Sequence, residues 1–157
     1  MRSRTGMWFI CKIRYEKTTE DGTQKKVTEQ HIVDALSFSE AEAKITEEMS
    51  SYISGQFEVA DLAIAPFKEI FFTDNNSDDK WYKAKLQFIT IDEKTEKEKR
   101  SSVTYLVQAG SMNGAMKNID EVMGGTMIDY VVASVVETTL MDVYEYGKTN
   151  DKPEYEQ

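Results

Sequence analysis

The sequence predicts an α+β chain made of two tandem copies of a ββα(β)β unit, with one antiparallel sheet carrying both helices on the same face. Three observations predict it. Under a shift of 73 or 74 places, Trp8 to Tyr15 falls on Trp81 to Phe88 with the same alternation of bulky apolar and polar positions. The register then holds: Val33, Ala35 and Ser37 meet Val107, Ala109 and Ser111, and Ala41, Ile45, Glu47 and Met49 meet Ala115, Ile119, Glu121 and Met123. Further on, Phe57, Val59 and Ala60 meet Tyr130, Val132 and Ala133, and Glu69-Ile70-Phe71 meets Asp142-Val143-Tyr144.

Each unit opens with a strand of period two, placing Phe9, Cys11, Ile13 and Tyr15 on one face of the first copy and Tyr82, Ala84, Leu86 and Phe88 on that of the second. A hairpin follows, its tip at Thr18 to Gln24 with a favourable Asp21-Gly22 turn in the first copy and at Asp92 to Glu98 in the second. The return strand sets Glu29, His31, Val33 and Ala35 against Val103, Tyr105, Val107 and Ala109, so His31 takes the slot of a core tyrosine and reads as structural. Ser37-x-x-Glu40 or Ser39-x-x-Glu42 forms a capping box at the start of a helix. Ala41, Ile45 and Met49 make its apolar stripe, repeated by Ala115, Ile119 and Met123 ahead of a terminating Gly124-Gly125. Two apolar segments close each copy, Phe57 to Ala65 and Phe67 to Phe72 in the first, Tyr130 to Val136 and Leu140 to Tyr146 in the second. Pro66 is expected to break or edge the ladder there, because it has no N–H to donate.

The resulting organisation is a flexible N-terminus at 1–7, a first repeat at 8–72, a polar linker TDNNSDDK at 73–80, a second repeat at 81–146 and a disordered tail at 147–157. The two repeats are expected to share one domain.

The 157 residues are 40% hydrophobic and 30% charged, sufficient to bury roughly two-thirds of the unfolded surface. Disordered and fibrous classes are thereby excluded. No apolar run approaches the ~18 residues of a membrane span. Lys12, Arg14 and Glu16 interrupt the stretch behind the basic MRSRTGM start before a signal-type apolar region develops. A cytoplasmic protein with no membrane partner is expected.

One cysteine, Cys11, and one histidine, His31, leave little raw material for disulfide, soft-metal or thiol–imidazole chemistry. Asp74, Asp78 and Asp79 cluster, but their spacing fits no calcium loop. Glu69 and Asp142 recur as repeat equivalents, not as one catalytic pair held in contrasting environments. No phosphate-binding, dinucleotide-binding or nucleophile-elbow motif occurs. We therefore expect no catalytic residue, metal or cofactor, and a non-enzymatic protein.

With alternate side chains of the first strand in the core, the outward set is Trp8, Ile10, Lys12 and Arg14, and in the second copy Trp81, Lys83, Lys85 and Gln87. A tryptophan followed by cations, twice, offers ring faces for bases and charges for phosphates. Trp8, Lys12, Arg14, Trp81, Lys83 and Lys85 are therefore the candidate site for single-stranded DNA or RNA. The net charge of −9, from 19 basic and 28 acidic residues, excludes a uniformly basic surface but not one basic face. Ile32 and Leu106 make the neighbouring positions less hydrophilic. The alternative reading is accordingly a structural or protein–protein interaction module, a homo-oligomer of phage or mobile-element type.

The segments KIRYEKTTEDGTQKKVTE, IVDALSFSEAEAKI and VASVVETTLMDVYEY resemble an uncharacterised domain-of-unknown-function family of gut-dwelling anaerobes and their phages. The resemblance covers nearly all of residues 8–146 and implies no transferable activity. From Phe57 to Met123 the ββββα order is similar to the Whirly and transcription-coactivator-type single-stranded DNA-binding folds, a likeness of topology alone. The tail GKTNDKPEYEQ, which nets −1, fits the acidic tail of phage single-stranded DNA-binding proteins only loosely.

Overall fold

A computed structural model describes residues 1–146; the predicted disordered tail at 147–157 lies outside the described residues. The elements run β1 (Arg2–Thr5), β2 (Trp8–Thr18), β3 (Gln24–Asp34), α1 (Phe38–Tyr52), β4 (Phe57–Ile64), β5 (Glu69–Phe72), β6 (Lys80–Ile91), β7 (Glu98–Ala109), α2 (Met112–Gly124), β8 (Tyr130–Glu137) and β9 (Leu140–Tyr144). The mixed α+β class is as expected. Two compact units form among the described residues, one from residues 1–6 and 66–138, the other from residues 7–65 and 139–146.

In the second of these units, the sheet order is β4-β2-β3-β9. β2 pairs antiparallel with β3 and β4, while β3 pairs parallel with β9. Ser37 caps α1, its hydroxyl accepting from the Glu40 amide at 3.1 Å. The stripe Ala41, Ile45 and Met49 then packs on Phe9, Cys11, Ile13 and Val33, all fully or almost fully buried. Truncating such a side chain to alanine typically costs about 2–5 kcal/mol.

The other unit has the order β1-β5-β7-β6-β8. β6 pairs antiparallel with β7 and β8, β5 pairs parallel with β7, and β1 adds antiparallel to β5. Ser111 caps α2 by accepting from the Gly114 amide at 3.0 Å. Ala115, Ile119 and Met123 lie against Tyr82, Ala84, Leu86, Tyr105, Val107 and Phe71.

Several expectations are corrected. There are two sheets, each with its own helix and one parallel pair, in place of a single antiparallel sheet bearing both helices. The closing strands do not stay with the hairpins they follow in sequence: β5 joins the sheet of β6 and β7, and β9 joins that of β2 and β3. Turn chemistry is the reason. Between β4 and β5 the chain has Ala65-Pro66-Phe67-Lys68, and Pro66 holds the preceding residue extended. Between β8 and β9 stand only Thr138 and Thr139, β-branched residues poorly suited to the positive-φ positions of a two-residue hairpin. Neither connection can fold its strand back. At equivalent points the Ala65 amide donates to the Trp8 carbonyl and the Thr138 amide to the Trp81 carbonyl, at 2.8 and 2.9 Å.

The same exchange separates β4 from β5, β6 and β7, so the four strands of the ββββα run do not form one sheet. The N-terminus is not a flexible lead, because Arg2–Thr5 is β1. Lys80, placed in the linker by composition, begins β6.

Candidate functional site

The predicted aromatic and basic residues divide between the units. Trp8, Lys12 and Arg14 lie on β2, and Trp81, Lys83 and Lys85 on β6. Both indoles are buried, Trp8 at 1% and Trp81 at 6% exposure, so neither presents a ring face on which a base could stack. The outward-facing reading of the two tryptophans is corrected. At its start β2 is covered on both sides, since neighbouring Trp8 and Phe9 are both buried, as are Ile32 and Val33 on β3. β6 repeats this with Trp81 and Tyr82, and the Trp81 ring meets Phe72 edge-on at 5.7 Å.

The cations remain nearer the solvent. Arg14 donates to Glu58 Oε1 at 3.1 Å beside an open groove of ≈ 650 Å³ that Lys26, Gly55 and Phe57 also line. Lys12 is half-buried, its backbone opposite Gln30 and Asp61. Lys83 and Lys85 are exposed. The Arg2 guanidinium sits 4.2 Å over the Phe72 ring, which puts Arg2, and Arg4 two residues on, on the face of Trp81, Lys83 and Lys85. The sequence reading missed this arginine pair because composition alone marked residues 1–7 as a lead.

Cys11 and His31 are directly opposed on β2 and β3. Burial pushes the Cys11 thiol up to about 12, so the thiolate that nucleophilic chemistry requires is suppressed. His31, 1% exposed, stacks on Tyr144 at 5.9 Å and meets Tyr52 edge-on at 6.3 Å. Its Nε2 lies 3.3 Å from Glu29 Oε1, while Nδ1 is buried without a hydrogen-bond partner. Desolvation holds the ring below its ordinary pKa, against the opposing pull of Glu29 and Asp142. The slot is indeed the one Tyr105 fills in the other unit, where Tyr105 stacks on Phe71 at 4.8 Å. Glu29 also accepts from the Tyr15 hydroxyl at 2.9 Å. Among the described residues no group of three or more His, Cys, Asp or Glu side chains is arranged to hold a metal ion. None of their helices is long and apolar enough to cross a membrane.

The sheet edges are the other feature able to recognise a ligand. β1 demonstrates how one is used: Arg2, Ser3, Arg4 and Thr5 pair with Phe72, Phe71, Ile70 and Glu69. In the other unit the place of β5 is taken by β9. Ile70 and Phe71 pair with Leu106 and Val107, and Val143 and Tyr144 pair with Ile32 and Val33. No strand among the described residues lies beyond β9. Asp142 next to Val143 is held above the usual carboxylate range, first by desolvation and then by Glu29 and Glu48, with His31 opposing. Glu145 follows the strand.

Comparison with known proteins adds a family and no activity. The family described as a domain of unknown function, DUF4494, matches residues 7–146, and the chain belongs to it. Neither the curated proteins nor the solved structures contain a match.

Proposed function

We propose that this DUF4494 chain is a non-enzymatic, cytoplasmic protein-interaction module that takes up extended segments by strand addition, with the outer edge of β9 as acceptor. One observation carries the reading: β1, a four-residue basic strand, already occupies the corresponding edge of β5. Main-chain hydrogen bonds supply affinity in this mode, and alternate side chains supply selectivity. Transferring the β1 register to β9 sets the incoming threonine against Asp142 and the first arginine against Glu145. The second arginine falls against Val143, so the partner is an extended segment whose charge requirement is one arginine at the Glu145 position. The matching strand orders, β9-β3-β2-β4 and β5-β7-β6-β8, support an origin by tandem duplication, which accounts for two edges of the same kind. An origin among gut anaerobes and their phages remains part of the proposal.

The test is titration of a synthetic MRSRTG peptide into the isotopically labelled full chain. Weak, saturable shifts of the Met141–Glu145 amides that vanish in Glu145→Lys support the reading. Unmoved amides at millimolar peptide refute it.

A second reading, single-stranded nucleic-acid binding, draws support from Lys83 and Lys85. Both are exposed on the face of Arg2 and Arg4, and neither takes part in an ion pair among the described residues. Phosphate contact without stacking remains open to them, and its signature is affinity that falls steeply with salt. Salt-independent binding, or none at low salt, removes it.

A further inference from the structure

We infer that the chain self-associates through β8, two copies pairing edge to edge about a twofold axis. The inference rests on the strand-addition reading but concerns a different edge in the other unit.

Four strands end the two sheets: β1 and β8 in one, β4 and β9 in the other. Natural sheets guard such edges with charge, shortness or bulges. β1 is four residues long and carries two arginines, and β9 is five residues long with Asp142. β4 matches β8 in length, at eight residues, but carries Glu58 and Asp61. β8 reads Tyr-Val-Val-Ala-Ser-Val-Val before its final Glu137, seven residues without a charge.

The pairing registers make the comparison residue by residue. Arg14 opposes Glu58 where Gln87 opposes Val131, and Lys12 opposes Asp61 where Lys85 opposes Ser134. Both edge strands break register at the corresponding point, after Lys12 and after Lys85. The bulge therefore does not distinguish them. Charge does.

The surface next to this edge points the same way. Of the twelve exposed large apolar residues among those described, four fall within residues 127–136: Met127 at 97%, Ile128 at 42%, Val131 at 38% and Val136 at 56%. A twofold antiparallel pair brings each strand against its own copy, so a charge near its centre meets its like. Asp61 and Glu58 impose that repulsion on β4, and β8 has nothing to impose between Tyr130 and Val136. A second copy of this chain is therefore the fitting occupant, because the edge is complementary to itself.

The experiment is sedimentation velocity of the full chain across micromolar concentrations, with Val131→Glu/Ser134→Asp as the decisive variant. Those side chains copy the β4 edge, where the same backbone position tolerates both. We expect a concentration-dependent dimer for the natural chain and a monomer for the variant. Circular dichroism should be unchanged, and melting temperatures should coincide at concentrations too low for the natural chain to dimerise. Concentration-dependent exchange protection of the β8 amides gives a reading that needs no variant. A natural chain that stays monomeric, a variant that stays dimeric, or β8 amides equally protected at all concentrations overturns the inference. Binding of the MRSRTG peptide at β9 is read independently, since the two substitutions lie in the other unit, so failure of one proposal is distinguishable from failure of the other.

Discussion

Tyr146 fastens the end of β9, and its hydroxyl can be removed without disturbing the backbone. The Tyr146 amide donates to Asp34 Oδ1 at 2.8 Å, its hydroxyl donates to Glu48 Oε1 at 2.6 Å, and the Lys44 ammonium lies 4.6 Å from the ring centroid. Tyr146→Phe deletes only what the hydroxyl makes, the short bond to Glu48 and a longer approach of 3.3 Å to the Lys44 carbonyl. A bond to a charged acceptor contributes about 1.5–3 kcal/mol, and half-buried Glu48 can recover part of this from water, so about 1 kcal/mol should be lost. In a chain of this size that lowers Tm by roughly 2–4 °C. Tyr146→Ala also removes ring packing and the cation–π contact, itself about 0.5–1 kcal/mol, for about 3 kcal/mol in all. Urea unfolding followed by fluorescence, with exchange of the β9 amides as a local probe, measures both. A Tyr146→Phe chain within ~0.3 kcal/mol of the natural one, the scatter expected of a neutral surface change, would show that the hydroxyl fastens nothing. Equal destabilisation of the two variants would show that the ring and its cation–π contact contribute nothing.

Acid should weaken the chain through His31. Burial keeps its folded pKa depressed, so the unfolded chain takes up a proton the folded chain refuses, and stability falls as pH drops below about 6.5. A stability–pH series on the natural chain and on His31→Tyr, which copies the Tyr105 slot, should lose that slope in the variant. Alkali acts through Tyr15, Tyr130, Tyr144 and Tyr146, all raised first by desolvation and then by neighbouring carboxylates, Tyr130 to about 12. Stability should hold below about pH 10 and decline above it, as unfolded phenols ionise first. Phenolate absorbance should lag behind that of free tyrosine until the circular dichroism signal collapses. Cys11 should resist an aromatic disulfide reagent in the native chain and react at once in denaturant. Rapid native labelling would contradict its burial.

Much of the fold was legible because it is written locally. The period-two runs, the Ser37 and Ser111 caps and the Ala-Ile-Met stripes specify hairpin and helix from neighbouring residues, and those elements stand where the pattern puts them. The destination of β5 and β9 is a long-range choice, marked only by what their connections lack: Pro66 on one side and a Thr-Thr pair on the other, with no glycine or asparagine to turn the chain. The tryptophans failed for a different reason. Alternation was applied to a strand whose opening, Trp8-Phe9-Ile10-Cys11, is a continuous apolar run, and such a run marks a strand covered on both faces. Trp81-Tyr82 carried the same signal more faintly, because Lys83 interrupts it. Arg2 and Arg4 alternate as a strand should, but four residues are too few for periodicity to separate from chance.

The traded closing strands also bear on what a protease could do. A cut between Asn75 and Asn76, in the polar stretch after Phe72, would leave one fragment with β1 to β5 and another with β6 to β9. Each fragment would own strands in both sheets. Parting them would mean drawing β5 from the side of β7 and β9 from the side of β3, so the nicked molecule should migrate as a whole until denatured. Expressed separately, the two pieces should find each other and reassemble.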